Sequence, residues 1–292
     1  MPVSSLLVAL KAFDATARAG SMTAAAKQLG LRQPTVSAHI LRLEEEYGVE
    51  LFFRKGRRLV LTEFGDALLE HTRRIFSAAD DARSMLVAAK THYSGTLNLH
   101  AIGPYNITPI IKAYRATHPN VQISVTVGDS QSITQSILDY QGDIGLVLND
   151  INDPQIYCMP YRKQTLVIFA AKTHELANKK GALSLSDLVD QEFVLREEGS
   201  GTRQAFERYL NDKKIRIKTS VEMRSREAVR EAVVQGLGLG VVADRAYLPG
   251  PDLVKLKVKG FDATTHTKFI CRAERQNSPL IAEFLETARG MG

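Results

Sequence analysis

At 292 residues the chain is too long for one small core and is expected to divide into two or three domains. Its 44% hydrophobic and 24% charged residues are ordinary for a soluble globular protein, and a net charge of +6 permits a polyanionic partner without requiring one. No apolar run reaches the length of a membrane span, the start Met1–Ser5 lacks the basic region of a secretory leader, and Cys158 and Cys271 have neither metal-ligand spacing nor the density of a disulfide framework, so a cytoplasmic location and no membrane partner are expected.

The opening helix is expected over 5–18, with Leu6, Leu7, Leu10 and Phe13 on one side. A shorter helix follows over 23–29, with Ser21 placed to cap it and Gly30 to end it. The next helix opens at Pro34, whose fixed φ and missing N–H suit a first turn. Val36, Ile40 and Leu43 fall at i, i+4 and i+7 and should pack inward. Gln33, Thr35, Ser37, His39 and Arg42 are left for the other face, several of them able to reach a base edge. Two helices at a tight connection, the first softened by Ala24–Ala26, make a helix-turn-helix whose second helix reads a major groove. Arg32 stands where a small polar cap is usual; it caps poorly and is free to meet a phosphate.

Residues 51–61 read as two short strands turning at Gly56. Four of the five residues 54–58 are basic: Arg54, Lys55, Arg57 and Arg58. Beside a helix-turn-helix this is a wing for the phosphate backbone or minor groove; standing alone it would be a solvated charged turn. From Thr62 to about Lys90 one long helix is expected, with Glu63 and Asp66 in its first turn. Leu68, Ile75, Ala79, Ala82, Leu86 and Ala89 form a near-heptad stripe, which must be buried against a second subunit or the chain's own next domain.

Beyond Gly95 strands and helices alternate. Strands are expected at 96–102, 121–128, 143–148, 166–171, 193–196, 218–223, 240–242, 253–258 and 268–272. Helices are expected at about 105–117, 130–140, 202–213, 225–235 and 278–289, which indicates parallel βαβ units. A break near 161–165 suggests two lobes joined by crossing strands. The expected boundaries are 1–61, 62–92 and 93–292, with lobe I at about 93–161 and 268–292 and lobe II at about 162–267.

Ligands in open α/β sheets sit beyond the carboxyl ends of strands, near helix N-termini. Four segments qualify: Gly103–Thr108 with Tyr105 and Asn106, Gly128–Gln131 with Asp129, Ser130 and Gln131, Glu197–Arg203 with Ser200, Gly201, Thr202 and Arg203, and Ser225-Arg226 at the start of another helix. The glycines, hydroxyls and guanidinium of Gly199–Arg203 suit an anion cradle, and equally a capped turn. Gly236–Gly240 brings its third glycine too early for a dinucleotide fingerprint and reads as a tight helix-to-strand turn. There is no P-loop, no nucleophile elbow and no zinc-protease motif, so neither an enzyme nor a cofactor or metal is expected.

Gly20-Ser21, Thr23, Ala25-Ala26, Leu29, Gln33-Pro34, Val36-Ser37, Leu43-Glu44, Leu51-Phe52, Arg54, Leu61-Thr62 and Gly65 stand in the register of the LysR-type transcriptional regulators, which the first 65 residues closely resemble. The resemblance implies an all-α winged helix-turn-helix domain binding double-stranded DNA, a linker helix that dimerises, and a two-lobed α/β effector domain like a periplasmic binding protein. It implies a homodimer or homotetramer responding to a small molecule. A solute-binding or transport-related protein is the alternative, and it leaves residues 1–92 without a purpose. More narrowly, Gly103–Tyr105, Gly128–Gln131, Arg196–Arg203 and Ser225–Ala232 look like the branch associated with aminoethylphosphonate catabolism. That branch implies a phosphonate-related effector, and the residues fit a zwitterion, with Asp129, Glu197 or Glu198 able to face an ammonium.

Overall fold

Glycines in left-handed backbone, which a side chain would strain, end each of the first three helices. The computed structural model describes residues 1–55, 58–88, 94–148 and 151–292. In it α1 (Val3–Ala19), α2 (Met22–Leu29) and α3 (Gln33–Tyr47) stop at Gly20, Gly30 and Gly48. The Ser21 hydroxyl accepts from the Ala24 N–H and caps α2, while α3 begins on Arg32 with no side-chain cap. Val36 and Ile40 are buried against Ala12, Ala15, Ala25 and Ala26, whose small side chains let the three helices approach closely. Leu43 joins Phe13, Leu51 and Leu69 in the adjoining core.

Strands β1 (Phe52–Lys55) and β2 (Arg58–Leu61) pair antiparallel from Phe52–Leu61 to Lys55–Arg58. Glu44 ties this wing to the recognition helix: its Oε1 accepts the N–H groups of Leu51 at 2.8 Å and Phe52 at 3.4 Å. Stranding those two amides would cost about 1–3 kcal/mol each. The first turns of helix α4 (Glu63–Ala88) pack on the head, and its later turns are open. Leu69 and Thr72 are buried, and the Thr72 hydroxyl donates to Asp14, itself paired with Arg18. Ile75 and Leu86, by contrast, are 39% and 73% exposed, with Ala79 and Ala82 also open. Leu68, expected on that open stripe, instead packs on the core of the head, and Ala89 lies outside the described residues.

The chain divides into two compact units, Met1–Leu86 and Val87–Gly292, so most of α4 forms one body with the winged head. The second unit continues with β3 (Gly95–Ala101), α5 (Pro104–Thr117), β4 (Val121–Val127), α6 (Ser130–Leu138), β5 (Ile144–Val147) and β6 (Ile156–Ala171). Then come α7 (Glu175–Asn178), β7 (Leu183–Ser184), β8 (Glu192–Arg196), α8 (Gly201–Asp212), β9 (Lys218–Met223), α9 (Arg226–Val234) and β10 (Leu239–Ala243). Strands β11 (Leu253–Leu256), β12 (Val258–Lys259) and β13 (Thr264–Arg272) and helix α10 (Pro279–Arg289) complete it.

Strands β4, β3 and β5 run parallel in one lobe, and β9, β8 and β10 run parallel in the other. Antiparallel β6 and β13 pass through both. The expected break near 161–165 is therefore a strand, and β6 runs 16 residues. Pro160 lacks a donor, and it pairs with Lys268 where the register shifts, leaving Tyr161 as an extra residue. A bulge of this kind is where a sheet tolerates proline. The first lobe packs around Leu99, Tyr114, Phe269 and Phe284; the second around Phe193, Phe206 and Leu239 on one side of its sheet, and Phe169, Val229 and Val242 on the other. Between α9 and β10 a Cβ on Gly238 would stand 2.6 Å from the Glu192 carbonyl oxygen, so Gly236–Gly240 is the tight turn its spacing suggested. The carboxyl ends of β3, β4, β8 and β9 lead directly into α5, α6, α8 and α9.

Candidate functional site

On the head, Arg32, Gln33, Pro34 and Thr35 are exposed at the start of α3, and Arg42 is exposed two turns later. Ser37 and His39 are half-buried on opposite flanks of the helix. Between the flanks the open face is completed by Ala38 and by Leu41, 53% exposed. Neither was singled out from the sequence, because a search for hydrogen-bonding groups passes over methyl groups that can contact thymine. Arg54 is exposed at the end of β1; Arg58 is placed by its pairing in β2, and Arg57 lies outside the described residues.

In the second unit a cleft of about 480 Å³ opens between the two lobes. The starts of three helices line it: Gly103 and Pro104 before and in α5, Asp129 before α6, and Ser225 and Arg226 at α9. Their outermost N–H groups lack intrahelical partners and carry positive potential. Arg226 sits in the first turn of α9, where a cation opposes the helix dipole. Its guanidinium has no hydrogen-bond or ion-pair partner among the described residues. It crosses from one lobe to the other, where a Cβ on Gly103 would stand 2.0 Å from its Nη1. Gly103, at φ +159°, is the residue that leaves that space. Burial, then the neighbouring Arg196 cation, push Arg226 below the usual guanidinium range. Arginine keeps its proton regardless, and the carboxylates of Glu227 and Glu197 act on this charge from a distance, without a hydrogen bond to it. Arg196, in contrast, is neutralised by a two-pronged pair with Glu197 at 2.8 and 2.6 Å.

The expected effector residues divide into two groups. Asp129, Gln131 and Ser225 line the cleft, and Tyr105 lines a slot beside it. Asp129 also caps α6, accepting from the Ser132 N–H at 2.8 Å, and Ser225 caps α9, accepting from Ala228 at 3.0 Å. Asn106 is half-buried, its Oδ1 without a partner. Ser130, Ser200, Gly201 and Thr202 are buried away from the cleft wall, and the Ser130 hydroxyl accepts from the Leu148 N–H. Arg203 is not a free donor: it pairs with Glu207 at 2.7 Å and Glu222 at 2.6 Å and donates to the Arg196 carbonyl. The anion cradle expected at Gly199–Arg203 is thus a helix start braced by its own ion pairs, and Gly199 alone of that run reaches the cleft. Of the cleft's charged side chains, Arg226 lies in the helix start expected at Ser225-Arg226, whereas Arg196, Arg224 and Glu227 were not named as site residues. One signal sets Arg226 apart in the sequence: a basic residue immediately after an N-cap serine contradicts the helix dipole and asks for a reason.

Among the described residues no His, Cys, Asp or Glu cluster could hold a metal ion, and no helix is long and apolar enough to cross a membrane.

Comparison with known proteins covers both units. The family model described as LysR substrate binding domain matches residues 90–291, and the one described as bacterial regulatory helix-turn-helix protein, lysR family, matches residues 7–66. The RuBisCO operon transcriptional regulator of Allochromatium vinosum is 33% identical over 282 residues, covering 95% of this chain and 93% of that protein. The transcriptional activator CmpR of Synechocystis sp. is 31% identical over 280 residues, covering 94% and 91%. Among solved structures, full-length OxyR from Pseudomonas aeruginosa superposes with a TM-score of 0.77 at 20% identity, over 97% of this chain and 94% of that one. CbnR bound to its target DNA superposes with a TM-score of 0.72 at 24% identity, over 98% and 99%. Both share the fold.

Proposed function

The chain belongs to the family of LysR-type transcriptional regulators, and on that premise we propose that it is switched by a small anion seated over the unpaired guanidinium of Arg226. It is a DNA-binding regulator that responds to a small-molecule effector, and it is not an enzyme. The solute-binding alternative accounts for the second unit only, whereas the family match includes the head.

One observation carries the reading: three helix N-termini and a partnerless cation converge on one cleft. An anion there would satisfy orphan N–H groups and neutralise Arg226 together. The effector class we favour is an aminophosphonate, on the resemblance of the cleft-forming segments to the aminoethylphosphonate branch. Glu227, exposed on the cleft wall, is the carboxylate best placed for an ammonium, since Glu197 is engaged by Arg196 and Asp129 by α6. Anion binding at residues from both lobes favours the closed cleft, and in an oligomer closure changes the spacing of the DNA-binding heads.

Calorimetric titration of the full-length protein with methylphosphonate, 2-aminoethylphosphonate, phosphate and an uncharged phosphonate diester tests this. The anions are expected to bind and the diester to fail. Thr202→Ala is expected to leave the affinities unchanged, because its hydroxyl is buried away from the cleft. Preference for the diester would overturn the anion reading.

On the DNA side, the start of α3 with Gln33, Thr35 and Ala38 would face base edges, and the wing would hold the backbone. Arg54→Ala is expected to weaken operator and random DNA alike and to lower the slope of log affinity against log salt by about 0.9, one phosphate contact's worth. An unchanged slope would remove Arg54 from the interface.

A further inference from the structure

Arg196, Arg226 and Glu227 wall a second cavity as well as the cleft, a slot of about 30 Å³. Away from those three residues its lining changes character. Phe169, Val229, Val241, Val242 and Ala246 present hydrocarbon, and Tyr247 packs edge-on against Phe169 with ring centres 5.7 Å apart. Leu248, 43% exposed, stands at its open side. Arg230 also lines it, with Nε buried and unpartnered.

Ordinary packing defects are apolar throughout. This slot is joined through three charged side chains to a cleft suited to an anion. We infer that it is a second compartment of the effector site, taking a short hydrocarbon arm attached to the anionic group held at Arg226. The inference rests on the reading of Arg226 as the anion's seat and narrows the ligand to an anion bearing such an arm. Size follows from the volume. One water needs about 10–15 Å³ on this measure, so the slot has room for about two, which is the bulk of an ethyl group. Chemistry follows from the walls: against Phe169, Val229, Val241, Val242 and Ala246 a polar substituent would lose its water. The carboxylate on the wall, Glu227, is shared with the cleft, where polar substituents meet it in water.

The experiment is a calorimetric series on the full-length protein with methyl-, ethyl-, propyl- and butylphosphonate, and with the matching alcohols as uncharged controls. Affinity is expected to rise about fourfold from methyl to ethyl, from the transfer of one methylene, and to level off from propyl onward. The alcohols are expected not to bind. Ala246→Leu, which fills the slot, should bring the propyl-to-methyl affinity ratio close to one; Leu248→Ala, which opens it, should carry the rise on to butyl. Methylphosphonate binding with no dependence on arm length, or an unchanged ratio in Ala246→Leu with Leu248→Ala also without effect, would overturn the slot and leave the anion seat standing. Failure of every phosphonate to bind would overturn both.

Discussion

Arg226→Leu is expected to weaken anionic effectors about ten- to a hundredfold while leaving the ligand-free protein as stable as before, or slightly more so. The two halves of that expectation have one cause. In the ligand-bound state the guanidinium would make charge-assisted hydrogen bonds, and losing one is worth about 1.5–3 kcal/mol. Without ligand the same group is a burden. It is half-buried beside Arg196, it has no hydrogen-bonded partner among the described residues, and it stands at the positive end of α9. Removing a cation from a helix N-terminus gains about 0.3–1 kcal/mol, and leucine replaces its stem with hydrocarbon of similar reach. A group kept at a cost to the empty protein is one retained for binding. Calorimetry with 2-aminoethylphosphonate and thermal melting without ligand read the two halves separately. A variant that binds as well as wild type but melts lower would make Arg226 a structural brace between the lobes.

How much of this could be read from the chain depends on how local the cause is. The helix-turn-helix was legible because each of its parts is a short-range rule: Ser21 before α2, Gly30 after it, Pro34 opening α3, and Val36, Ile40 and Leu43 on one face. The α/β alternation of the second unit was legible for the same reason. Strand β6 was not, because its middle residues, Pro160 to Gln164, are specified by pairing with β13 about a hundred residues later. The candidate site was half legible. Asp129, Gln131 and Ser225, read from strand-to-helix corners, line the cleft, since every parallel unit puts such corners at the same end. Composition could not show which donors were already spent. Arg203 has the right chemistry for an anion, but Glu207 lies one helical turn away and Glu222 comes from the neighbouring strand, and together they take it. Arg226 has carboxylates nearby in Glu227 and Glu197 but none hydrogen-bonded to it among the described residues, which is visible only once the chain is folded.

The largest effect on operator binding is expected from Ile75→Glu. Helix α4 packs Leu69 and Thr72 against its own head, and from Thr72 the same stripe continues open through Ile75, Ala79, Ala82 and Leu86. Regulators of this family form oligomers, and a partially exposed isoleucine and a largely exposed leucine three turns apart on a long helix are the natural seam for a second copy. A glutamate at position 75 would place two like charges across that seam and bury neither favourably. Its effect on DNA should exceed its effect on the fold. With both heads tethered, the second half-site is engaged at an effective concentration in the millimolar range, and losing the tether forfeits about 10²–10⁴ in operator affinity. Random DNA, bound one head at a time, should be affected far less. Sedimentation equilibrium and operator titration on the same preparation give the answer. An intact dimer with normal operator affinity would move the subunit interface off this face of α4. A monomer with normal affinity would mean that one head suffices.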